Sequence, residues 1–379
     1  MDKKNKNPNV PNLRFEKFNN NWSRTTISKV CVCNPKNEDK LDDEFIYIDL
    51  ESVEKGVLKS KNIIHLKNAP SRAQRILYKN DILFQSVRPY QRNNYLLNED
   101  DDFLQYVAST GYIQLRTTLN PYFLFQLLNT DKINNEVMLR CTGTSYPAIN
   151  SNDFSNILIT ITNDRNEQNK IAKFFSLFEE RIQTQIKIIN DYKILKNHII
   201  KSYIKQNGTS YLLSEIAELG RGRVINSAEI SKQKNPIYPV YSSQTSNNGI
   251  MGYLDNYDYE GEYITWTTDG ANAGTVYYRN GKFNCTNVCG ILKIKNGYDA
   301  YYISNILNCY TKKYVSTNLA NPKLMNNVMA NIKINLPSIE QQKHSSKILQ
   351  SIEYRVEIEE DIKLNLVKQK AFLLKNMFI

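Results

Sequence analysis

The 379-residue sequence predicts an α+β protein. It would consist of two mixed α/β domains separated by two long helices packed as an antiparallel coiled coil, with the halves related by pseudo-twofold symmetry. Three observations lead there. First, the chain repeats itself: residues 167–205 run close beside 340–378. Both copies open on Glu-Gln-x-Lys (Glu167, Gln168, Lys170; Glu340, Gln341, Lys343) and pass an Arg-apolar step (Arg181-Ile182; Arg355-Val356). Both close on Lys-x-x-apolar-apolar-Lys, from Lys196 to Lys201 and from Lys370 to Lys375. Second, both copies lack Pro and Gly. Third, each follows a longer segment rich in short strand-like runs. A period of one domain plus one helix implies two related halves. The copies lie 173 residues apart at their start and 174 from the arginines onward, which reads as one inserted residue.

The expected division is 1–162, 163–207, 208–337 and 338–379. In the first segment the runs 45–50, 81–87, 106–115 and 156–161 are β-branched or aromatic and bounded by Asn, Gly and Pro, as strands are. Residues 121–128 (PYFLFQLL) begin with Pro and read as a short helix. From Glu167 apolar residues recur every three or four positions: Ile171, Phe175, Phe178, Ile182, Ile186, Ile189, Tyr192, Leu195, Ile199, Tyr203. That spacing gives one stripe along a rod roughly 58 Å long, with a left-handed stop expected at Asn207-Gly208. Strands follow at 238–243, 262–268, 273–283 and 287–294, and a helix at 299–309. After Leu336-Pro337 the second rod carries its stripe at Ile348, Ile352, Val356, Ile362, Leu366, Leu373 and Met377. Two rods of equal length, each apolar on one side, bury their stripes most simply against each other.

The net charge is +11 with pI near 9.1, which points to a polyanionic partner: nucleic acid first, an anionic membrane second. No apolar run approaches the roughly 20 residues a membrane span needs, and the charged opening has no apolar core behind it as a signal peptide would. The rods hold eight basic against four acidic residues and seven against six, so most of the excess positive charge lies in the domains. The six cysteines form no C-x-x-C pair, and Cys285-x-x-x-Cys289 lacks a second ligand pair for zinc. They read as reduced, mostly buried thiols of a cytoplasmic protein. Asp100, Asp101 and Asp102 read as a solvated loop rather than a metal site. No Gly-x-x-x-x-Gly-Lys-Ser/Thr loop for ATP, no Asn/Asp-Pro-Pro-Tyr loop and no Pro-Asp with a spaced Glu-x-Lys occurs.

The opening Pro11-Asn-Leu13-Arg14-Phe15-x-x-Phe18-x-x-x-Trp22 leads to an apolar-Ser-x-apolar entry, Ile27-Ser28-Lys29-Val30, which Leu213-Ser214-Glu215-Ile216 echoes in the second half, and several further stretches follow each entry. These are Ala69-Pro70-Ser-Arg72-Ala73-Gln-Arg75, Asp81-Ile82-Leu83-Phe84 and Val87-Arg88-Pro89-Tyr90 in the first half. In the second they are Gly220-Arg221-Gly222-Arg223, Tyr238-Pro239-Val240-Tyr241-Ser242, Ala273-Gly274-Thr275 and Gly281-Lys282-Phe283. In this order, each set followed by its Glu-Gln helix, the chain resembles the specificity subunit of a type I restriction-modification enzyme over essentially its whole length. One departure is that His344 and Ser345 stand where the first helix has Ile171 and Ala172.

The resemblance implies a non-catalytic adaptor that reads double-stranded DNA. Each target recognition domain would read one half of a bipartite target, and the family's conserved helices would set the spacer. Those helices would also dock two modification (methyltransferase) subunits, to which restriction (motor-nuclease) subunits add. S-adenosylmethionine and ATP with Mg would then belong to the partners and not to this chain. The alternative from the residues alone is a self-contained DNA methyltransferase or nuclease with fused recognition domains. Side chains suited to phosphates and base edges nominate Arg72, Arg75, Ser86, Arg88, Tyr90, Gln91, Arg92, Thr142, Thr144 and Tyr146 in the first domain. In the second they nominate Arg221, Arg223, Tyr241, Ser242, Ser243, Gln244, Thr268, Asp269, Asn272, Lys282, Asn318 and Lys323.

Overall fold

The computed structural model describes residues 9–98, 103–205, 208–316 and 321–379. The chain forms two compact units, Met1–Ile186 with Asp361–Ile379, and Lys187–Glu360. It passes from one to the other twice, each time inside a long helix.

The first unit is built on an antiparallel ladder of Ser23–Thr26 with Leu158–Ile161, followed by a one-turn helix Ile27–Val30. Two four-stranded sheets stand on it. One runs Asn62–His65, Glu44–Ile48, Gln105–Ser109, Ala73–Leu77, and the other Cys31–Cys33, Tyr112–Thr117, Ile82–Gln85, Tyr95–Leu96. The expected strand 106–115 therefore divides at Thr110-Gly111 and serves both sheets. Helix Pro121–Leu128 forms as predicted, with the Asn120 side chain accepting from Phe123 N. A helix the sequence reading missed, Asp131–Arg140, follows it, capped by Thr130. Its segment is polar and buries only Ile133 and Val137, too little apolar periodicity to announce a helix.

The second unit repeats the base. Thr209–Leu212 pairs antiparallel with Lys333–Leu336, and a one-turn helix Leu213–Ile216 follows. Above it lies one six-stranded sheet in the order Ala217–Arg221, Cys289–Ile294, Tyr259–Thr267, Val276–Cys285, Tyr238–Tyr241, Ile250–Leu254. Helix Ala300–Tyr310 packs beside it with Asp299 as its cap. Trp266 is fully buried in this core and donates its indole N–H to Leu324 O at 3.0 Å.

The long helices are Arg165–Ile204 and Ile339–Met377. In the first unit Glu179 pairs with Lys370, and Phe175 lies 6.0 Å from Phe378 between ring centres. In the second unit Lys193 pairs with Glu360 at 2.7 Å and Lys196 with Glu353 at 3.2 Å. Numbers rise on one helix as they fall on the other, so each unit holds an antiparallel helix pair. Most of the predicted stripe is buried or half-buried, but Leu195 (47% exposed) and Ile362 (36%) are not. Gly208 does not take the expected left-handed conformation. A Cβ there would sit 2.4 Å from Leu336 O, so the missing side chain serves close backbone approach to the ladder. Asn207 lies outside the described residues.

Both long helices start the same way, which corrects the register of the repeat. Asp164 Oδ1 accepts from Asn166 N and Glu167 N, and Ser338 Oγ accepts from Gln341 N. Gln168 Oε1 accepts from Asn120 N at 2.9 Å, while Gln342 Oε1 accepts from Asp299 N at 3.1 Å, so each ties its domain's helix cap to the rod. Burial follows the same match: Gln168, Ile171, Ala172 and Phe175 against Gln342, Ser345, Ser346 and Leu349. The spacing is 174 throughout (342 minus 168), with no inserted residue at the start. His344 corresponds to Lys170, and it is Ser345 and Ser346 that replace Ile171 and Ala172. Ser346 is accommodated because its hydroxyl donates to Asp299 at 2.7 Å.

Candidate nucleic-acid interface

In the first unit four of the nominated residues, Arg72, Arg88, Gln91 and Tyr146, line one cleft of about 1040 Å³. The loop after Ile82–Gln85 forms its wall. Buried Gln85 holds that loop from inside, donating to Val87 O and Gln91 Oε1 and accepting from Asn93 N. Pro89–Gln91 makes one 3₁₀ turn flanked by two arginines in the left-handed region, Arg88 (φ 54°) and Arg92 (φ 55°). Arg88 precedes a proline, where extended backbone is the norm. Left-handed non-glycine residues cost on the order of 1–3 kcal/mol and gather at functional sites. The Arg88 guanidinium lies 4.4 Å over the exposed Tyr146 ring, leaving its N–H fork open to the cleft.

The other nominees of this unit are placed differently. Tyr90 is exposed, and Arg92 pairs with Asp131 at 2.7 Å. Ser86 is buried and donates to Gly111 O, a structural bond. Burial pushes the Arg75 guanidinium down from its usual range, and its Nε has no partner among the described residues. Thr142 bonds through its backbone to Ala148, and Thr144 stands exposed on the turn between them. Sequence reasoning missed Lys55, Lys59, Asn93 and Thr110, which also line the cleft. The signal was there: Lys55-Gly56 turns a hairpin of Val53–Glu54 and Val57–Leu58, with both turn residues at positive φ.

In the second unit three loops converge. Thr268 donates its hydroxyl to Asp269 and its backbone N–H to Val288 O, Asp269 pairs with Lys323 at 3.4 Å, and Asn272 donates to Thr245 at 3.1 Å. Ser242 accepts from Gln244 N, and the Gln244 side chain donates to Ile250 O. Ser243 beside them is half-buried. Tyr241 sits under the Arg279 guanidinium at 3.5 Å. Three further nominees are engaged away from these loops' contacts with one another. Arg223 bridges Glu229 (2.6 Å) and Asp258 (3.0 Å), which holds the Glu229 carboxyl below its usual range. Arg221 donates to Asn326 and Met325, and Lys282 pairs with Glu260 over the Tyr257 ring. Asn318 and the acidic run Asp100, Asp101 and Asp102 lie outside the described residues.

Among the described residues no cluster of three or more His, Cys, Asp or Glu is placed to hold a metal, and no helix is long and apolar enough to cross a membrane. All six cysteines are free thiols, but fewer are buried than expected: Cys31, Cys285 and Cys289 are, Cys33 and Cys141 are half-buried, and Cys309 is exposed. Burial pushes Cys31 up to about 12 and Cys33 to about 11, so both stay protonated and unreactive near neutral pH.

The profile of the type I restriction modification DNA specificity domain matches residues 207–369. A putative type I specificity subunit N-terminus from Mycoplasma pneumoniae is 43% identical over 142 residues, spanning 37% of this chain and 75% of that protein. The chain belongs to the type I specificity subunits. A second relative, the type I restriction enzyme MpnII specificity subunit of the same organism, is 39% identical across 45% of this chain and 51% of its own. The fold agrees along the full length. The crystal structure of the S subunit from M. genitalium superposes with TM-score 0.64 at 17% identity, covering 98% of this chain and 99% of that one. A chain from a structural study of type I complex assembly gives 0.58 at 19% identity, covering 94% and 97%. As a specificity subunit, the protein recognises DNA and is not itself a catalyst, so the reading as a self-contained methyltransferase or nuclease falls.

Proposed function

We propose that each unit reads one half of a bipartite duplex target and that the two long helices fix the spacer. The functional division then follows the sequence: recognition domains 1–162 and 208–337, spacer helices 163–207 and 338–379. The observation that carries this reading is one scaffold built twice under unlike surfaces. The same ladder, one-turn helix and glutamine tie (Gln168, Gln342) support an arginine-lined cleft in one unit and a three-loop polar surface in the other. Exposed apolar side chains on the helices, among them Ile194, Tyr354, Val367 and Phe372, suit docking by two modification subunits in the cytoplasm. S-adenosylmethionine would be held by those subunits. ATP and Mg would be held by the restriction subunits that join them.

Exchange of domains tests this. Replacing residues 13–162 by the segment of another specificity subunit should change one half of the methylated motif, read by sequencing a host that carries the chain with its modification subunit. The other half should stay the same. The donor must keep aromatics matching Trp22 and Phe123, because both pack against Phe378 of the retained chain. If both halves changed together, or neither did, two independent readers would be the wrong description.

A further inference from the structure

Arg279, in the strand Val276–Cys285, is a buried cation. It is 4% exposed, and the Tyr241 and Tyr277 rings lie 3.5 and 4.4 Å from its guanidinium carbon. Its Nε donates to Thr265 Oγ1 at 3.2 Å and its Nη2 to Asn248 O at 2.9 Å. Among the described residues no Asp or Glu pairs with it. Burial accordingly pushes its guanidinium down from the usual range. A buried charge left without a counter-ion is costly, so the fold keeps it for what it holds.

What it holds is a strained tip. Asn247 (φ 49°) and Asn248 (φ 52°) are both left-handed, and Gly249 follows at φ 82°. The tip is fixed from several sides. Ser242 N donates to Gly249 O, Gln244 donates to Ile250 O, Asn272 donates to Thr245, and Arg279 takes the Asn248 carbonyl. Residues 245–248 are exposed, and neither the Asn247 nor the Asn248 side chain has a partner among the described residues. Two free amides on a rigid, strained tip beside a positive charge make a reader of base edges. Asparagine matches the N6 and N7 pattern of adenine in the major groove, and uncompensated positive charge draws the duplex toward the tip.

We propose that Asn247 and Asn248 read base edges, adenine by preference, in the half-site bound by the second unit, and that Arg279 is the positioning residue that aims them. This rests on the reading that the second unit reads one half-site. The sequence carried the signal in Asn-Asn-Gly, a left-handed turn signature.

The test uses the full chain with its modification subunit and reads the methylated motif genome-wide. Asn247→Ala and Asn248→Ala, both exposed and expected to fold, should each relax one position of one half-site. Discrimination there should fall roughly tenfold to a hundredfold, with the other half unchanged. Arg279→Lys keeps the charge but loses the fork that spans Thr265 and Asn248, so it should relax the same position as Asn248→Ala. Gly249→Ala leaves Arg279 in the chain but displaces the tip from it, since the residue sits at φ 82° and its Cβ would meet Arg279 Nη2 at 3.2 Å and Gln244 O at 3.3 Å. It should give the same relaxation and serves if Arg279→Lys does not fold. An unaltered motif in both asparagine variants, or a uniform fall in methylation with the motif intact, overturns base reading by the tip. A uniform fall for both Arg279→Lys and Gly249→Ala overturns the positioning role. Exchanging residues 208–337 in parallel separates the cases: if that exchange changes one half while the asparagine variants do not, only the present inference fails.

Discussion

Four residues inserted into each long helix, between 186 and 187 and between 360 and 361, should leave both half-sites intact and lengthen the spacer by one or two base pairs. These are the two points at which the chain crosses between units, so neither domain's own packing is cut. Four residues add about 6 Å of helix, slightly more than one turn, and the apolar stripe resumes close to phase. A base pair rises about 3.4 Å, so 6 Å is nearly two steps. The original motif should disappear from the methylome, which makes this an all-or-none readout. Inserting into only one helix makes the rods unequal and should abolish methylation altogether. Retention of the original spacing after the double insertion would mean that the partner subunits position the readers.

Arg14→Ala should cost the first unit about 3–5 kcal/mol of stability, the range for orphaning one member of a buried ion pair. Arg14 grips Glu167 with two bonds, 2.6 and 2.8 Å, at the start of the first long helix, and the Glu167 side chain is fully buried. The second unit has no counterpart: its matching residue, Gln341, is exposed. Hydrogen exchange should therefore accelerate in the strands of the first unit and not in those of the second. The double variant Arg14→Met with Glu167→Leu should recover most of the loss, because an apolar pair of similar volume leaves no stranded charge. A loss below about 1 kcal/mol, or one shared equally by both units, would refute the assignment.

The long helices and most strands were legible because their signals are local: a three-to-four stripe without Pro or Gly, and β-branched runs between turn residues. The register of the repeat was not. Glu340-Gln341 looks like Glu167-Gln168, yet Gln342 makes the tie to Asp299, and only that distant partner fixes the alignment. The site was half legible for the same reason. Arg88 and Tyr146 were nominated by residue type and do share a cleft. Arg223 was nominated on the same grounds, but carboxylates 6 and 35 residues away engage it. The Asn247–Asn248 tip was missed because its meaning comes from Arg279, more than thirty residues on and hidden in a strand. Residue type shows what a side chain is able to contact, and competition within the fold decides what it does contact.

The seating of Phe378 among Trp22, Phe123 and Phe175 bears on how the molecule is made. The ribosome produces the first 186 residues, then the whole of 187–360, and only then the segment that finishes the first unit. At about 5–20 residues per second, the first domain waits roughly 10–35 s with an aromatic socket open to solvent. The first domain begun is thus the last completed. A chain stopped before Asp361 would leave that socket unfilled, the kind of exposed apolar surface that makes incompletely folded chains prone to aggregate.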